Sequence, residues 1–555
     1  MAESSMSDLW WKNGLVYAVD VKTFLDGDGD GIGDFKGLAA GVDYLAALGV
    51  TCLWLLPPFP SPWRDDGYDS SDYLSVDPRV GDLGDFVAFT RAARQNGIRI
   101  VLDIALNHTS DEHPWFVDAR SSRDSKYRDY YVWSDEPPAD PPEPVLPGEQ
   151  SGTYTYDEGS GQYYLHRYHD FMPDLNTNNP AVRAEMYKVL GFWLAVGVNG
   201  FRVDSVPFLV EEIAEEGGGE DSSHDYLRDL RSFIARRSSD AILVGEANLP
   251  LDLLGSYFGE EGAEEMRVMF DFAGCGGMWA SLALGEAAPI ARQLRKRPTP
   301  PPVCSYLSFL RHHDELNLDL HYTDEERDAV FEVFAPREDQ RVYGRGISRR
   351  MTPMLEDDEA RVRLAFSLMF SLPGTPTVFY GDEFGIGDHP ELPGRLNNRP
   401  LMQWNGLDNG GFTNGEPDEL IRPALPDGHY GYRERNIASQ LSDPDSRLNW
   451  FRRLAANRRE CAEIGTGRQR ILDSGDPGIL ALRYDQFHSL VVLHNLAAEE
   501  RTAHLGDELE VGCDEIFADR RYEAVDTAKG EVPIGPSGFR WLRLHRSGTS
   551  TPGVD

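Results

Sequence analysis

The sequence predicts a (β/α)8 TIM-type barrel, of the α/β class, with a small domain inserted after its third strand and a C-terminal antiparallel β-sandwich domain. Three observations predict it. Short runs that are apolar on both faces alternate with amphipathic stretches for most of the chain, as in a parallel sheet covered by helices. Eight such runs precede a change of pattern near Ile464, and eight βα units close into a barrel. Acidic residues recur at the C-terminal ends of these runs, the face where such barrels carry their active sites.

In chain order, Leu15–Val21 is the first expected strand, and the amphipathic stretch Leu38–Leu48 follows it. Cys52–Leu56 is the second, and Ile98–Leu106, after a helix that includes Phe86–Arg94, is the third. The next stretch is long, polar and rich in Pro, Tyr and Asp. It exceeds an ordinary βα loop and predicts an inserted domain over 108–174. The helix Pro180–Val196 leads into the fourth strand, Gly200–Val206. Ala241–Glu246, Arg267–Phe272, Ser305–Leu310 and Pro376–Tyr380 complete the barrel, which is thus built from 1–107 and 175–460. A charged stretch over 316–350, containing TDEERDAVFEVF, predicts a helical insertion after strand seven. Leu480–Tyr484, Ser489–His494 and Phe539–Leu544 read as strands of a separate β domain over 464–546, and 547–555 as a disordered tail.

Composition narrows the function. A formal net charge of −38 argues against nucleic acid and anionic membranes as partners. Only seven of the 54 basic residues are lysine, a bias that fits a high-GC genome and salt adaptation. The five cysteines are widely spaced, with no CxxC, which points to buried thiols in a reducing, cytoplasmic compartment. The N-terminal MAESSMSDLWWKNG has no basic region followed by an apolar core, and no apolar run approaches the roughly 20 residues of a membrane span.

The run Gly200-Phe201-Arg202-Val203-Asp204-Ser205 sets a carboxylate at the end of a buried strand. Burying that charge is costly unless it is paired. Arg202 lies two residues earlier, so the strand period puts both on one face, where the arginine can hold Asp204 ionised and oriented. An ionised, fixed aspartate is what a carboxylate nucleophile requires. Strand three ends Asp103-Ile-Ala-Leu-Asn107-His108, strand five Gly245-Glu246-Ala247-Asn248, and strand seven Arg311-His312-His313-Asp314-Glu315. Acids gathered at one end of a barrel repel, which raises at least one pKa and marks an acid/base site. Two carboxyls roughly 5–5.5 Å apart give glycoside cleavage with retention, Asp204 as nucleophile and Glu246 as proton donor.

The runs DIALNH, GFRVDSV, GEAN and FLRHHDEL, with MPDLN at Met172–Asn176, resemble the conserved regions of glycoside hydrolase family 13, the α-amylase superfamily. The resemblance runs from about Leu9 to the end of the chain. Within the family, LLPPFPSPWRDDGYD, NHTSDEHPWF, TDEERD and SLPGTPTVFYGDEFGIGD are most similar to the trehalose synthase branch, with oligo-1,6-glucosidase-like features. The resemblance implies Asp204 as nucleophile, Glu246 as general acid/base and Asp314 as the third carboxylate, which bonds the sugar hydroxyls. It implies that Arg202 orients Asp204, that His108 and His313 bind the glucose unit being transferred, and that Tyr68 lies under its ring. It also implies that Asp65 and Arg399 close the far side of that subsite and make the enzyme exo-acting on short sugars.

Asp26-Gly27-Asp28-Gly29-Asp30-Gly31-Ile32-Gly33-Asp34 has acids at alternate positions with glycines between. Hard cations take six to eight oxygens, and the glycines permit the tight turn that folds those oxygens inward. The start is like an EF-hand loop, but the twelfth position is Gly37, so the bidentate glutamate is missing. The loop resembles instead the metal loop after the first strand of oligo-1,6-glucosidases. That resemblance implies Asp26, Asp28, Asp30, the carbonyl of Ile32, and Asp34 as ligands of Ca2+, with Mg2+ the alternative. Resemblance to trehalose synthases implies a second site using Asn107, Asp174, the carbonyls of Phe208 and Leu209, and Glu211.

Two places depart from that branch. Asn398-Arg399-Pro400-Leu401-Met402-Gln403-Trp404 stands where it has VRTPMQW, and Met172 where it has QPDLN. Both border the expected pocket and bear on the acceptor rather than on bond cleavage. The sequence therefore predicts an enzyme on a small-molecule α-glucoside, interconverting maltose and trehalose through a glucosyl-enzyme. The alternative is an α-glucosidase or transglucosidase acting on the terminal glucose of short oligosaccharides. A non-catalytic relative is disfavoured because all three carboxylates are present. Assembly into an oligomer is left open.

Overall fold

The computed structural model describes residues 9–210, 224–259, 264–509 and 512–545. The expected strands close into one barrel: Val16–Val19, Cys52–Leu55, Arg99–Ile104, Gly200–Val203, Ile242–Gly245, Val268–Phe270, Ser305–Phe309 and Thr375–Phe379. Each strand pairs in parallel with its sequence neighbour, and the eighth pairs with the first through Val16↔Thr377. Both faces of these strands are buried, one by the barrel interior and one by the helices, which is why the runs are apolar throughout. Trp54 meets Phe270 edge-on across the interior, ring centroids 5.2 Å apart.

The surrounding helices start where the chain supplies a cap. Asp82 and Asp85 form a capping box at the head of Leu83–Gln95, and Asn179 caps Pro180–Ala195 with proline in the first turn. Gly49, at φ 90°, ends Val42–Leu48 in the left-handed conformation that a side chain disfavours.

After strand three, the helix Pro114–Ser121 and a three-stranded antiparallel sheet (Trp133–Ser134, Tyr154–Asp157, Gln162–Leu165) form the inserted unit. Its small core is aromatic: Phe116 stacks on Trp133 and meets Tyr131 and Tyr164 edge-on. Leu175 N–H donates to the Asn107 carbonyl at 2.7 Å, so the chain leaves and rejoins the barrel at one point.

The stretch after strand seven contains the helix Asp324–Phe334, headed by a Thr323–Glu326 capping box. It also contains a three-stranded sheet of two-residue strands, Leu316–Asn317, Arg341–Val342 and Gly346–Ile347. Strands that short carry no readable period, so the sequence shows only the helix.

The C-terminal domain is a five-stranded antiparallel sheet (Arg468–Leu472, Ile479–Asp485, Ser489–Asn495, Phe539–Leu544, Cys513–Ala518) covered by a two-stranded one, Arg501–His504 with Glu531–Ile534. The period of two divides its residues. Ile479, Ala481, Val491, Leu493 and Leu542 face the small sheet, whereas Leu480, Leu482, Val492 and Trp541 join the barrel core. All five cysteines are free thiols, and no described helix is long and apolar enough to cross a membrane. The tail 547–555 lies outside the described residues.

Candidate active site

A cavity of about 450 Å³ opens at the C-terminal face of the barrel, within the range of small-molecule sites. Asp204, Glu246 and Asp314 all line it, from strand ends four, five and seven. Tyr68, His108, His313 and Asp65 line it too.

Arg202 ties the acids together from beneath. Its Nη1 lies 2.7 Å from Asp103 Oδ1 and 2.8 Å from Asp204 Oδ1, and its Nη2 bonds Glu246 Oε2. Arg202 is only 1% exposed and is not in the pocket wall, so it orients carboxylates and does not itself bind sugar. The contact with Asp204 is the one the strand period and the resemblance led one to expect. Burial works against its charge, but Asp103 and Glu246 hold it ionised, well above the ordinary arginine range.

The acids separate in proton affinity. Burial, reinforced by Asp204 and Asp314 and opposed by Arg202, pushes Glu246 up to about 8. For Asp314, burial is overcome by the His313 ring and by Arg395, which hold it well below the usual carboxylate range. One carboxyl that keeps its proton at neutral pH beside another that has lost it can serve as acid and anionic anchor respectively. Asp204, with Oδ1 on Arg202, completes a set able to attack, protonate and grip a glycoside.

Tyr68 is fixed by its neighbours. Its hydroxyl donates to Asp103 Oδ2 at 2.8 Å and lies 2.8 Å from His313 Nε2, while its ring stacks on His313 with 5° between planes. His313 Nε2 is also 3.0 Å from Asp314 Oδ2. His108 Nε2 lies 3.2 Å from the Tyr68 carbonyl, and its buried Nδ1 has no protein partner among the described residues. An aromatic face with two imidazoles and a carboxylate around it suits a sugar ring.

The blind end is closed differently from the expectation. Asp65 pairs with Arg395, not Arg399: Arg395 Nη2 is 2.7 Å from Asp65 Oδ1 and its Nη1 2.7 Å from Asp314 Oδ1. Arg395 lines the pocket, on the short 3-10 turn Gly394–Asn398. Arg399 is 3% exposed and lies behind that wall. It donates to the His313 carbonyl at 2.9 Å, pairs with Asp66 Oδ2 at 2.6 Å and reaches Asp314 Oδ1 with Nη2 at 3.4 Å from that side. Asp66 also takes Arg422 at 2.7 Å and Lys22 at 3.5 Å. The reason is local: Asp66 sits at φ 55°, and with Gly67 at φ 112° the turn sends adjacent aspartates to opposite sides of the wall.

At the open end the walls are mixed. Val145, Leu146, Met172, Phe208, Leu249 and Leu320 supply apolar surface, and Asn248, Asn317, Asp319 and Arg345 polar groups. Met172 does border the pocket, as its departure from the family pattern implied.

Carboxylate oxygens of Asp26, Asp28 and Asp34 lie within 4.8 Å of one another. Asp30 is not part of this convergent set. Its Oδ1 accepts from Ile32 N–H at 2.9 Å. Burial, then Asp28 and Asp26, raises Asp34 and Asp30 above the usual carboxylate range. Three carboxylates brought this close fit a hard cation. Gly31, at φ 88°, packs so tightly on Glu419 that no side chain would fit. The second expected site fits less well. Asp174 accepts from Arg167 Nη1 at 2.6 Å and from the Arg167 N–H at 3.1 Å, so an arginine already neutralises it. The Asn107 side-chain NH2 is buried with no protein partner among the described residues. Phe208 and Leu209 sit on the helix Val206–Val210, and Phe208 lines the pocket. Glu211 lies outside the described residues.

Residues 19–283 and 340–467 match the alpha amylase catalytic domain. This chain belongs to the α-amylase family, glycoside hydrolase family 13. It is 38% identical to a trehalose synthase of Pimelobacter sp. over 482 residues, 85% of this chain and 83% of that one. It is 39% identical over 478 residues to a Mycolicibacterium smegmatis protein named trehalose synthase/amylase, 85% of this chain and 80% of that one. Among solved structures, a trehalulose synthase variant in complex with Tris superposes with a TM-score of 0.77 at 26% identity, covering 97% of this chain and 100% of that one.

Arg395 and Asp66 had no signal in the sequence, and Asp103 showed there only as one of the strand-end acids, with no partner named. Arg395 lies in an irregular loop, and four residues on Arg399 presents the same residue type. Only the three-dimensional course of the turn distinguishes them.

Proposed function

We propose that this protein is a retaining, exo-acting enzyme of the trehalose synthase type, interconverting maltose and trehalose by forming a glucosyl-enzyme and transferring the glucose within one pocket. The observation that carries the reading is the wall Asp65–Arg395–Asp314, which closes the cavity on one side of Asp204 and Glu246. A chain cannot thread through such a site, so only a terminal glucose fits. Similarity to trehalose synthases over most of the chain supports the choice of disaccharide.

The chemistry follows from the proton affinities. Glu246 gives its proton to the glycosidic oxygen as Asp204 attacks the anomeric carbon, and the bond to the second glucose breaks. The freed glucose turns in the pocket, and its anomeric hydroxyl attacks the same carbon. Its proton passes to Glu246, and the electron pair of the ester bond returns to Asp204. Two inversions leave the α configuration unchanged. Tyr68 and His313 hold the ring between these steps. Hydrolysis to glucose is the competing fate of the same intermediate when water arrives first.

A hard divalent cation, Ca2+ with Mg2+ the alternative, would be held by Asp26, Asp28 and Asp34. Bound there it supplies charge neutralisation to the loop after strand one and takes no part in bond cleavage. Five free cysteines support a cytoplasmic location.

Isotope exchange tests the transfer. With maltose and added labelled free glucose, trehalose is expected to form without label, because the acceptor never leaves. Label at the level of the free pool would contradict intramolecular transfer.

A further inference from the structure

Asp204 carries two hydrogen bonds of different character. Its Oδ1 accepts from the Arg202 guanidinium at 2.8 Å, and its Oδ2 accepts from the Ser205 hydroxyl at 3.0 Å. Ser205 Oγ is itself hydrogen-bonded to the Tyr168 hydroxyl. An ionised carboxylate only accepts, and a serine hydroxyl has a single proton. Ser205 must therefore donate to Asp204, and the Tyr168 phenol must donate to Ser205. The result is a one-way chain, Tyr168 to Ser205 to Asp204, in which each donor polarises the next. Tyr168 belongs to the inserted domain and Ser205 follows barrel strand four, so the chain joins the two parts at the reacting carboxylate. Ser205 is held at φ 48°, in the left-handed region that favours glycine. The fold thus keeps a hydroxyl-bearing residue in a conformation unfavourable to it, beside the nucleophile.

We propose that this relay makes Asp204 a better leaving group, so that Ser205 and Tyr168 are positioning residues for the breakdown of the glucosyl-enzyme. The inference rests on the glucosyl-transfer reading above and adds the control of its second half. A hydrogen bond to a charged oxygen is stronger than one to a neutral ester oxygen. Asp204 is charged before attack and nearly so at both transition states, but neutral in the ester between them. The relay therefore stabilises the transition state for breakdown relative to the ester, and leaves the attack step nearly unchanged. In breakdown the acceptor hydroxyl gives its proton to the Glu246 carboxylate, and its oxygen bonds the anomeric carbon. The ester carbon–oxygen bond breaks, and the electron pair returns to the Asp204 carboxylate, whose regained charge the relay stabilises.

The test is rapid-quench kinetics of the full chain with 4-nitrophenyl α-glucoside, with intact mass of the quenched protein, for the wild type, S205A and Y168F. In S205A we expect a burst of nitrophenol followed by steady turnover slowed about tenfold. Most quenched S205A molecules should carry one glucosyl unit. Y168F keeps the serine and should shift in the same direction by less. Two results in S205A would overturn the relay: steady turnover and adduct fraction equal to wild type, or slowed release of nitrophenol with no adduct, which would make Ser205 a packing residue. Absence of any adduct in every protein, with β-glucose as the first product, would instead overturn the glucosyl-enzyme reading on which it rests.

Discussion

Glu246 sets the pH behaviour at the scale of single residues. Burial, with Asp204 and Asp314 nearby, raises its pKa to about 8, so the acid is protonated across neutrality. The expected profile of kcat/KM is flat around pH 7 and falls tenfold per pH unit above about 8; an unshifted glutamate would start that fall from roughly pH 4.3. Arg395 and Arg399 give a paired prediction. Arg395→Ala leaves Asp65 and Asp314 without their common partner, and kcat/KM for maltose should drop roughly 10- to 100-fold with little change in Tm. Arg399→Ala weakens the cage of cations around Asp66, and its first effect should be a lower Tm, at a cost of about 1–3 kcal/mol. The reverse pattern would restore Arg399 to the pocket. Asp204 and Glu246 were legible in the sequence because a charge at the end of an apolar strand has few structural explanations. Arg395 was not, because its role depends on a turn that no period encodes.

Among elements, the inserted domain and the strap after strand seven form the rim of the pocket. Arg345 joins them: its Nη2 donates to the Val145 carbonyl and its Nη1 lies 3.0 Å from Asp319 Oδ2. That contact links residues 200 positions apart across the pocket mouth. Arg345→Ala should loosen the rim and admit water, raising the fraction of maltose that ends as glucose while leaving the rate of bond cleavage within about twofold. An unchanged glucose fraction would mean the rim closes without this contact. The strap was legible only as a helix, since its two-residue strands are defined by their partners and not by their own sequence. The alternating acids of Asp26–Asp34 read as a cation site, and the fold brings Asp26, Asp28 and Asp34 together while withdrawing Asp30 from the convergent set. A chelator should lower Tm, and Asp34→Ala should abolish that sensitivity by removing the site itself.

For the whole molecule, the barrel and C-terminal domain share one core. Trp541 Nε1 donates to Ser367 Oγ at 2.9 Å, and His494 Nε2 lies 3.1 Å from the same hydroxyl. Trp541→Ala should cost about 3–5 kcal/mol through the cavity it leaves. Burial pushes His494 down to about 3, so the folded state binds it neutral. An unfolded histidine titrates near 6.5, hence this group's contribution is full above about pH 6.5 and is lost as pH falls towards 3. His494→Gln should flatten the loss of stability between those limits. The apolar runs made the barrel readable, but the docking of the last domain was not, because alternate residues on one strand serve two different cores. Intramolecular transfer requires the whole pocket to act as a closed vessel. The most direct test is proton NMR of the purified protein with maltose, following the anomeric signals in time. Trehalose accumulating ahead of free glucose is the predicted result; glucose alone, appearing first as the α-anomer, would make the protein a hydrolase and contradict the account.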